Sequence, residues 1–139
     1  MIVDDEVIIA ETLRTIMMQH GYACFALYDA ASAIELARVI PPDLLLTDFV
    51  LPGMSGLELA IQVAETCPAC QIILFSAIVS KADMTMMCLP HHPEFALLEK
   101  PVHPDILLAR IENMLQSAAA AIMPGPKNRL HLESSGTNR

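Results

Sequence analysis

Two stretches of the chain, "LLLT" at 44–47 and "QIILFS" at 71–76, are apolar almost without interruption instead of at every second position. A strand that alternates apolar and polar residues can leave one face in water. A continuous aliphatic run must be covered on both faces, which points to a parallel sheet sandwiched between helices. The segments between and around these runs carry helical spacing. From Glu6 onward Ile9, Leu13, Ile16 and Met17 form one stripe, with Gly21 as the C-terminal stop. Ser32 and Glu35 have capping-box spacing ahead of "IELARVI", which Pro41-Pro42 closes, and Ser55 and Glu58 repeat the spacing ahead of "GLELAIQVAETC", which Pro68 ends.

A weaker helix is expected around 82–89. A last helix opens at Pro104 with Ile106, Leu107, Ile111, Met114 and Leu115 on its stripe. The remaining strand candidates are Met1 to Val3, "YACFAL" at 22–27 and "FALL" at 95–98. Five strands alternating with five helices over short connections predict an α/β fold, a five-stranded parallel sheet wrapped on both sides through right-handed crossovers.

The domain is expected to span 1–118. The stretch 119–139, polar and rich in turn residues, is expected to be a disordered tail. With 139 residues, 54% of them hydrophobic, one domain can bury a full core, yet nowhere do roughly 18 consecutive apolar residues occur as a membrane helix requires. The start shows no basic, apolar and small-residue succession of an export signal, so the cytoplasm is the expected location. The net charge of −8 is more negative still in the domain itself, because Lys127, Arg129 and Arg139 oppose only Glu133 near the end. Such a surface repels phosphate backbones and argues against direct nucleic-acid binding.

The polar residues that end the strands are the informative ones. In an open parallel sheet all C-terminal strand ends share one edge, where ligands bind. On this reading the first strand ends at Asp4 and Asp5, the third at Asp48, the fourth at Ser76 and the fifth just before Lys100. Three adjacent carboxylates repel unless a cation intervenes, and oxygen ligands suit Mg²⁺. A carboxylate is also a competent nucleophile toward phosphorus, and an amine and a hydroxyl are what a bound phosphoryl group would need around it.

With these residues in view, the chain from Met1 to about Gln116 resembles the receiver domain of two-component response regulators. "VDDE" is similar to that family's acidic pair, "LLLTDFVLPGMSG" to its phosphoacceptor strand and loop, "ILFSA" to its switch strand and "EKP" to its lysine-proline motif. The resemblance implies a flavodoxin-like doubly wound (βα)5 fold that accepts a phosphoryl group on Asp48 from a sensor histidine kinase or phosphotransfer protein. Asp5 and the Val50 backbone carbonyl would then join Asp48 in holding Mg²⁺, with Asp4 acting through water. Ser76 is implied as the switch hydroxyl and Lys100 as the partner of the phosphoryl oxygens, followed by Pro101, which is often cis in the family.

A downstream protein partner is implied on the face of the fourth helix, fifth strand and fifth helix; homodimerisation stays open. No output domain is patterned after the last helix, so a stand-alone receiver or a piece of a longer regulator is expected. The chain departs from the family in having Leu97 at the usual aromatic switch position, with Phe95 two residues earlier.

Three other readings compete. Cys67 and Cys70 form C-x-x-C, and Cys88 with His91 adds C-x-x-H, which together would suit a structural zinc ion. A phosphatase using an aspartyl phosphate would want a second acid two residues after Asp48, where this chain has Val50. A receiver-like interaction module that is never phosphorylated would not need the full acidic, hydroxyl and lysine set. The chain is therefore read as catalysing only its own phosphorylation and dephosphorylation.

Overall fold

The computed structural model describes residues 1–88 and 90–122. Its elements alternate as the sequence pattern requires: β1 (Ile2–Val3), α1 (Val7–Gln19), β2 (Ala26–Leu27), α2 (Ala30–Val39), β3 (Leu44–Asp48), α3 (Gly56–Thr66), β4 (Gln71–Ser76), α4 (Lys81–Cys88), β5 (Ala96–Glu99) and α5 (Pro104–Ile122). The five strands form one sheet in the order β2-β1-β3-β4-β5, and every pairing is parallel. The strand order reverses direction between β1 and β3, which opens a crevice there at the C-terminal edge of the sheet.

The continuous apolar runs are buried on both faces, as their composition demands. Leu45, Ile72, Leu74 and Leu97 face α2, α3 and α4, packing with Ala33, Ala37, Leu59, Val63, Met84 and Cys88. The alternate residues Leu46, Ile73, Phe75 and Ala96 face α1 and α5, packing with Ala10, Met17, Leu107 and Ile111. The register pairs Leu45 with Ile72 and Leu46 with Ile73, so successive residues of adjacent strands feed the same two layers.

Helix boundaries follow local chemistry. Ser55 caps α3 by accepting from the Glu58 amide, and the Glu58 carboxylate in turn accepts from the Ser55 amide, completing the expected capping box. At α2 the expected box of Ser32 and Glu35 gives way to Asp29. Its carboxylate accepts from the Ser32 amide and also from the Ser32 hydroxyl, so Ser32 lies inside the helix. Gly21, at φ +87°, follows α1 in the left-handed region that terminates helices.

Three expected extents are corrected. The second strand is confined to Ala26–Leu27 because Tyr22 is held by its amide to the Met17 carbonyl at the end of α1, and because its partner β1 is equally short. In α5, Ile106 is exposed while Leu107 and Ile111 are buried, since the packing face begins one residue later. The same helix continues to Ile122, past the expected boundary at residue 118, over the run Ala118 to Ala121, whose residues are the strongest helix formers. The rest of the expected tail, 123–139, lies outside the described residues.

Candidate phosphoacceptor site

Asp4 follows β1, Asp48 ends β3 and Lys100 follows β5, so the crevice between β1 and β3 receives two carboxylates and an amine. The Lys100 ammonium lies 2.7 Å from Asp4 Oδ2 and 2.9 Å from Asp48 Oδ2. Each carboxylate uses its other oxygen on a backbone amide: Asp4 Oδ1 accepts from Glu6 at 2.9 Å, and Asp48 Oδ1 from Val50 at 2.9 Å. Asp4 is fully enclosed and Asp48 is buried, whereas Asp5 stands exposed. The Lys100 ammonium also lies 4.3 Å from the centre of the Phe75 ring, whose negative face favours a cation. Burial disfavours the charge on Lys100, but hydrogen bonds to Asp4 and Asp48 outweigh it and hold its pKa above the ordinary lysine value.

One ligand oxygen each from Asp4, Asp5 and Asp48 can be chosen so that all three lie within 4.8 Å of one another. The donor set is entirely carboxylate, hard and anionic, and its most open member is Asp5. That chemistry fits a small divalent cation such as Mg²⁺.

The backbone of Asp48 is held as firmly as its side chain. The Thr47 hydroxyl donates to the Asp48 carbonyl at 3.0 Å, and the Phe49 amide donates to the Phe75 carbonyl at 2.8 Å. The first residue of α3, Gly56, sits against the same carbonyl so closely that a Cβ there would fall 1.8 Å from the Asp48 oxygen. Gly56 is therefore required by this contact, and its position just after the cap Ser55 is the one signal the sequence offers for it. Gly53, at φ +81°, makes the turn of the intervening loop.

Ser76 is buried at the end of β4, but its oxygen is turned to its own loop. It accepts from the amides of Ile78 at 3.1 Å and Val79 at 3.0 Å, and among the described residues its hydroxyl has no acceptor. The bond between Lys100 and Pro101 is cis. Leu97 and Phe95 are both buried in the layer beneath α3 and α4. Glu99 and Phe75 were not among the expected site residues. An acid next to the lysine and an aromatic on the neighbouring strand carry no spacing rule that would single them out.

The cysteine reading fails. Among the described residues the only three-membered group of potential metal ligands is the aspartate cluster, so Cys67, Cys70, Cys88 and His91 do not assemble a zinc site. The thiols of Cys67 and Cys70 are buried and directed at the carbonyls of Ala37 and Gln71, and burial pushes the Cys70 thiol up to about 12 and that of Cys88 upward. They serve as small core residues.

Comparison with known proteins agrees with this geometry. Residues 1–112 match the family described as response regulator receiver domain. The chain is 27% identical over 116 residues to the DNA-binding response regulator MtrA of Mycolicibacterium paratuberculosis, covering 84% of this chain and 50% of that protein. It is 28% identical over 133 residues to the transcriptional regulatory protein CreB of Escherichia coli, covering 95% of this chain and 57% of that one. The chain thus spans about half the length of these relatives.

Among solved structures, a CheY-like receiver domain protein from Methanospirillum hungatei superposes with a TM-score of 0.78 at 25% identity, covering 86% of this chain and 94% of that one. A receiver domain from Clostridium thermocellum gives the same TM-score at 18% identity, covering 87% and 96%. With the doubly wound sheet, the acidic crevice at its switch point and the family match over most of its length, the chain belongs to the response regulator receiver domain family of two-component systems.

Proposed function

We propose that this receiver domain accepts a phosphoryl group on Asp48 from a phosphohistidine of a sensor kinase or phosphotransfer protein. The observation that carries the reading is the pairing of Lys100 with Asp48, beside the exposed Asp5, in one crevice. A carboxylate oxygen of Asp48 forms the new bond to phosphorus as the P–N bond to the donor imidazole breaks. The imidazole leaves with the bonding electron pair and takes up a proton.

The residues have separable tasks. Lys100 keeps the Asp48 oxygen oriented and follows the negative charge onto the transferred group. The Val50 amide fixes the second oxygen. Asp5, Asp48 and the Val50 carbonyl would hold a cation directly, and Asp4, the most enclosed of the three carboxylates, would act on it through water. Bound Mg²⁺ would supply charge neutralisation for the phosphoryl oxygens. The uncommitted Ser76 proton is available to an anion on Asp48. The domain turns over no separate substrate and catalyses only its own phosphorylation and dephosphorylation.

The output surface is the face of α4, β5 and α5. Met84 and Cys88 hold α4 to the core, while Met86 and Met87 on α4, Ile78 in the loop before it and Ile106 on α5 are exposed. Methionines adapt to differently shaped partners. Among the described residues no helix is long and apolar enough to cross a membrane, in keeping with a cytoplasmic setting.

The deciding experiment is intact-mass spectrometry after incubation with acetyl phosphate and Mg²⁺. The wild type gains one phosphoryl group and Asp48→Asn gains none, because an amide is a poor nucleophile. An equal gain on the variant refutes Asp48 as the acceptor. No gain on either protein leaves the unphosphorylated interaction module as the better description.

A further inference from the structure

Glu99 and Lys100 are neighbours at the end of β5, and their side chains hold different parts of the molecule. Lys100 reaches Asp4 and Asp48. The Glu99 carboxylate accepts a hydrogen bond from the amide of Lys81, the first residue of α4. The backbone between them is itself anchored, since the Lys100 amide donates to the Ser76 carbonyl at 2.8 Å and Ser76 is the register partner of Glu99.

The connection from β4 to α4 is therefore bracketed. At its start Ser76 Oγ takes the amides of Ile78 and Val79. At its end Ser80 and Asp83 bond to each other, Ser80 Oγ accepting from the Asp83 amide at 3.1 Å and donating to the Asp83 carboxylate at 2.7 Å. The Lys81 amide takes its acceptor from β5. The helix that follows is only eight residues long and buries only Met84 and Cys88. A helix of this length does not sustain itself and depends on tertiary ties, and a carboxylate at its N-terminus is a favourable one.

We propose that Glu99 is a positioning residue that couples the acidic crevice to the first turn of α4. A change at Lys100 moves the dipeptide 99–100, and the Glu99 carboxylate carries the change to the Lys81 amide. The tie stands on the geometry of the unphosphorylated chain; only its use as a signal rests on Asp48 being the phosphoacceptor. Glu99 itself touches neither the carboxylates nor any reacting atom.

The test is a double-mutant cycle read by amide hydrogen exchange at residues 81–85, with exchange in β3 and β4 as the control for global stability. Glu99→Ala is expected to speed exchange in the first turn of α4 by about fivefold, the worth of an N-terminal cap, and Glu99→Gln, which keeps an acceptor oxygen, to restore most of the protection. Lys100→Met should alter exchange in α4 when Glu99 is present and leave it unaltered in the Glu99→Ala background. Asp48→Asn replaces Lys100→Met in the cycle if that protein does not fold. Additive effects, or unchanged exchange in Glu99→Ala, overturn the proposal.

A second arm adds beryllofluoride as the phosphoryl mimic. With the bound fluoride resonance visible in both proteins, α4 exchange should shift in the wild type and much less in Glu99→Ala. An equal shift in both overturns the coupling. Absence of bound beryllofluoride in the wild type counts instead against the phosphoacceptor reading, and the cycle alone then decides the tie.

Discussion

Lys100 Nζ lies 2.7 Å from Oδ2 of Asp4, a carboxylate with no exposed surface. A buried carboxylate in this position depends on its cation, because removing one partner strands the other's charge. Lys100→Met should therefore destabilise the fold by about 3 kcal/mol, measured by urea unfolding. The same pairing sets an alkaline limit. Because the Lys100 pKa is raised in the fold, its contribution is complete below the ordinary lysine value of about 10.4 and is lost as pH rises through the folded value. The thermal midpoint of the wild type should fall more steeply above about pH 10 than that of Lys100→Met. Parallel curves would show that the pair adds no stability.

Asp5 is the exposed member of the acidic trio. A cation that binds only the folded state stabilises it by about 1.4 kcal/mol at ten times its dissociation constant, and so raises the thermal midpoint as its concentration rises. Mg²⁺ should produce such a rise in the wild type, and Asp5→Ala should remove most of it while barely changing the midpoint without Mg²⁺. A rise of equal size in the variant would assign the cation to other ligands.

Gly56 and Gly53 make a matched pair for testing the loop. At Gly56 an added methyl meets the Asp48 carbonyl, which is backbone and cannot swing aside. Gly56→Ala is expected to cost about 2 kcal/mol or more and to slow phosphorylation by displacing Asp48. At Gly53 a methyl meets nothing within 4 Å, so Gly53→Ala bears only the positive-φ penalty, about 1 kcal/mol. Denaturation curves together with acetyl phosphate uptake separate the two, and similar uptake by both variants would deny Gly56 its role at the site.

Leu97 is already buried, which leaves it little further burial to gain on phosphorylation. Leu97→Ala should cost about 2 to 5 kcal/mol of stability as a core truncation and yet keep much of the response to beryllofluoride on the 95–105 segment. Ser76→Ala should lose that response. NMR shift maps would check both, and the reverse pattern would make Leu97 the transmitter.

What the sequence announced was whatever depends on composition over a run of residues. The double-faced burial of 44–48 and 71–76 follows from their lack of alternation, and the meeting of Asp4, Asp48 and Lys100 follows from parallel strands sharing one edge. What it concealed depends on single contacts. Asp29 displaced Ser32 as the cap of α2 because both offer an oxygen at workable spacing and only the backbone angles decide between them. Ile106 and Leu107 are equally apolar, and which one faces the core is fixed by the rotation of α5 against β4. Glu99 looked like any exposed strand-end acid until α4 was set beside it.

The one-sided bonding of Ser76 has a kinetic consequence. Its oxygen is already satisfied by two loop amides, and among the described residues only its proton is uncommitted. On the proposed function, turning that proton toward a phosphoryl group on Asp48 would be a side-chain rotation, an event on the picosecond to nanosecond scale, whereas shifts of a whole helix run to microseconds or longer. The hydroxyl would then follow the state of Asp48 without delay, and any lag before a partner sensed phosphorylation would belong to α4.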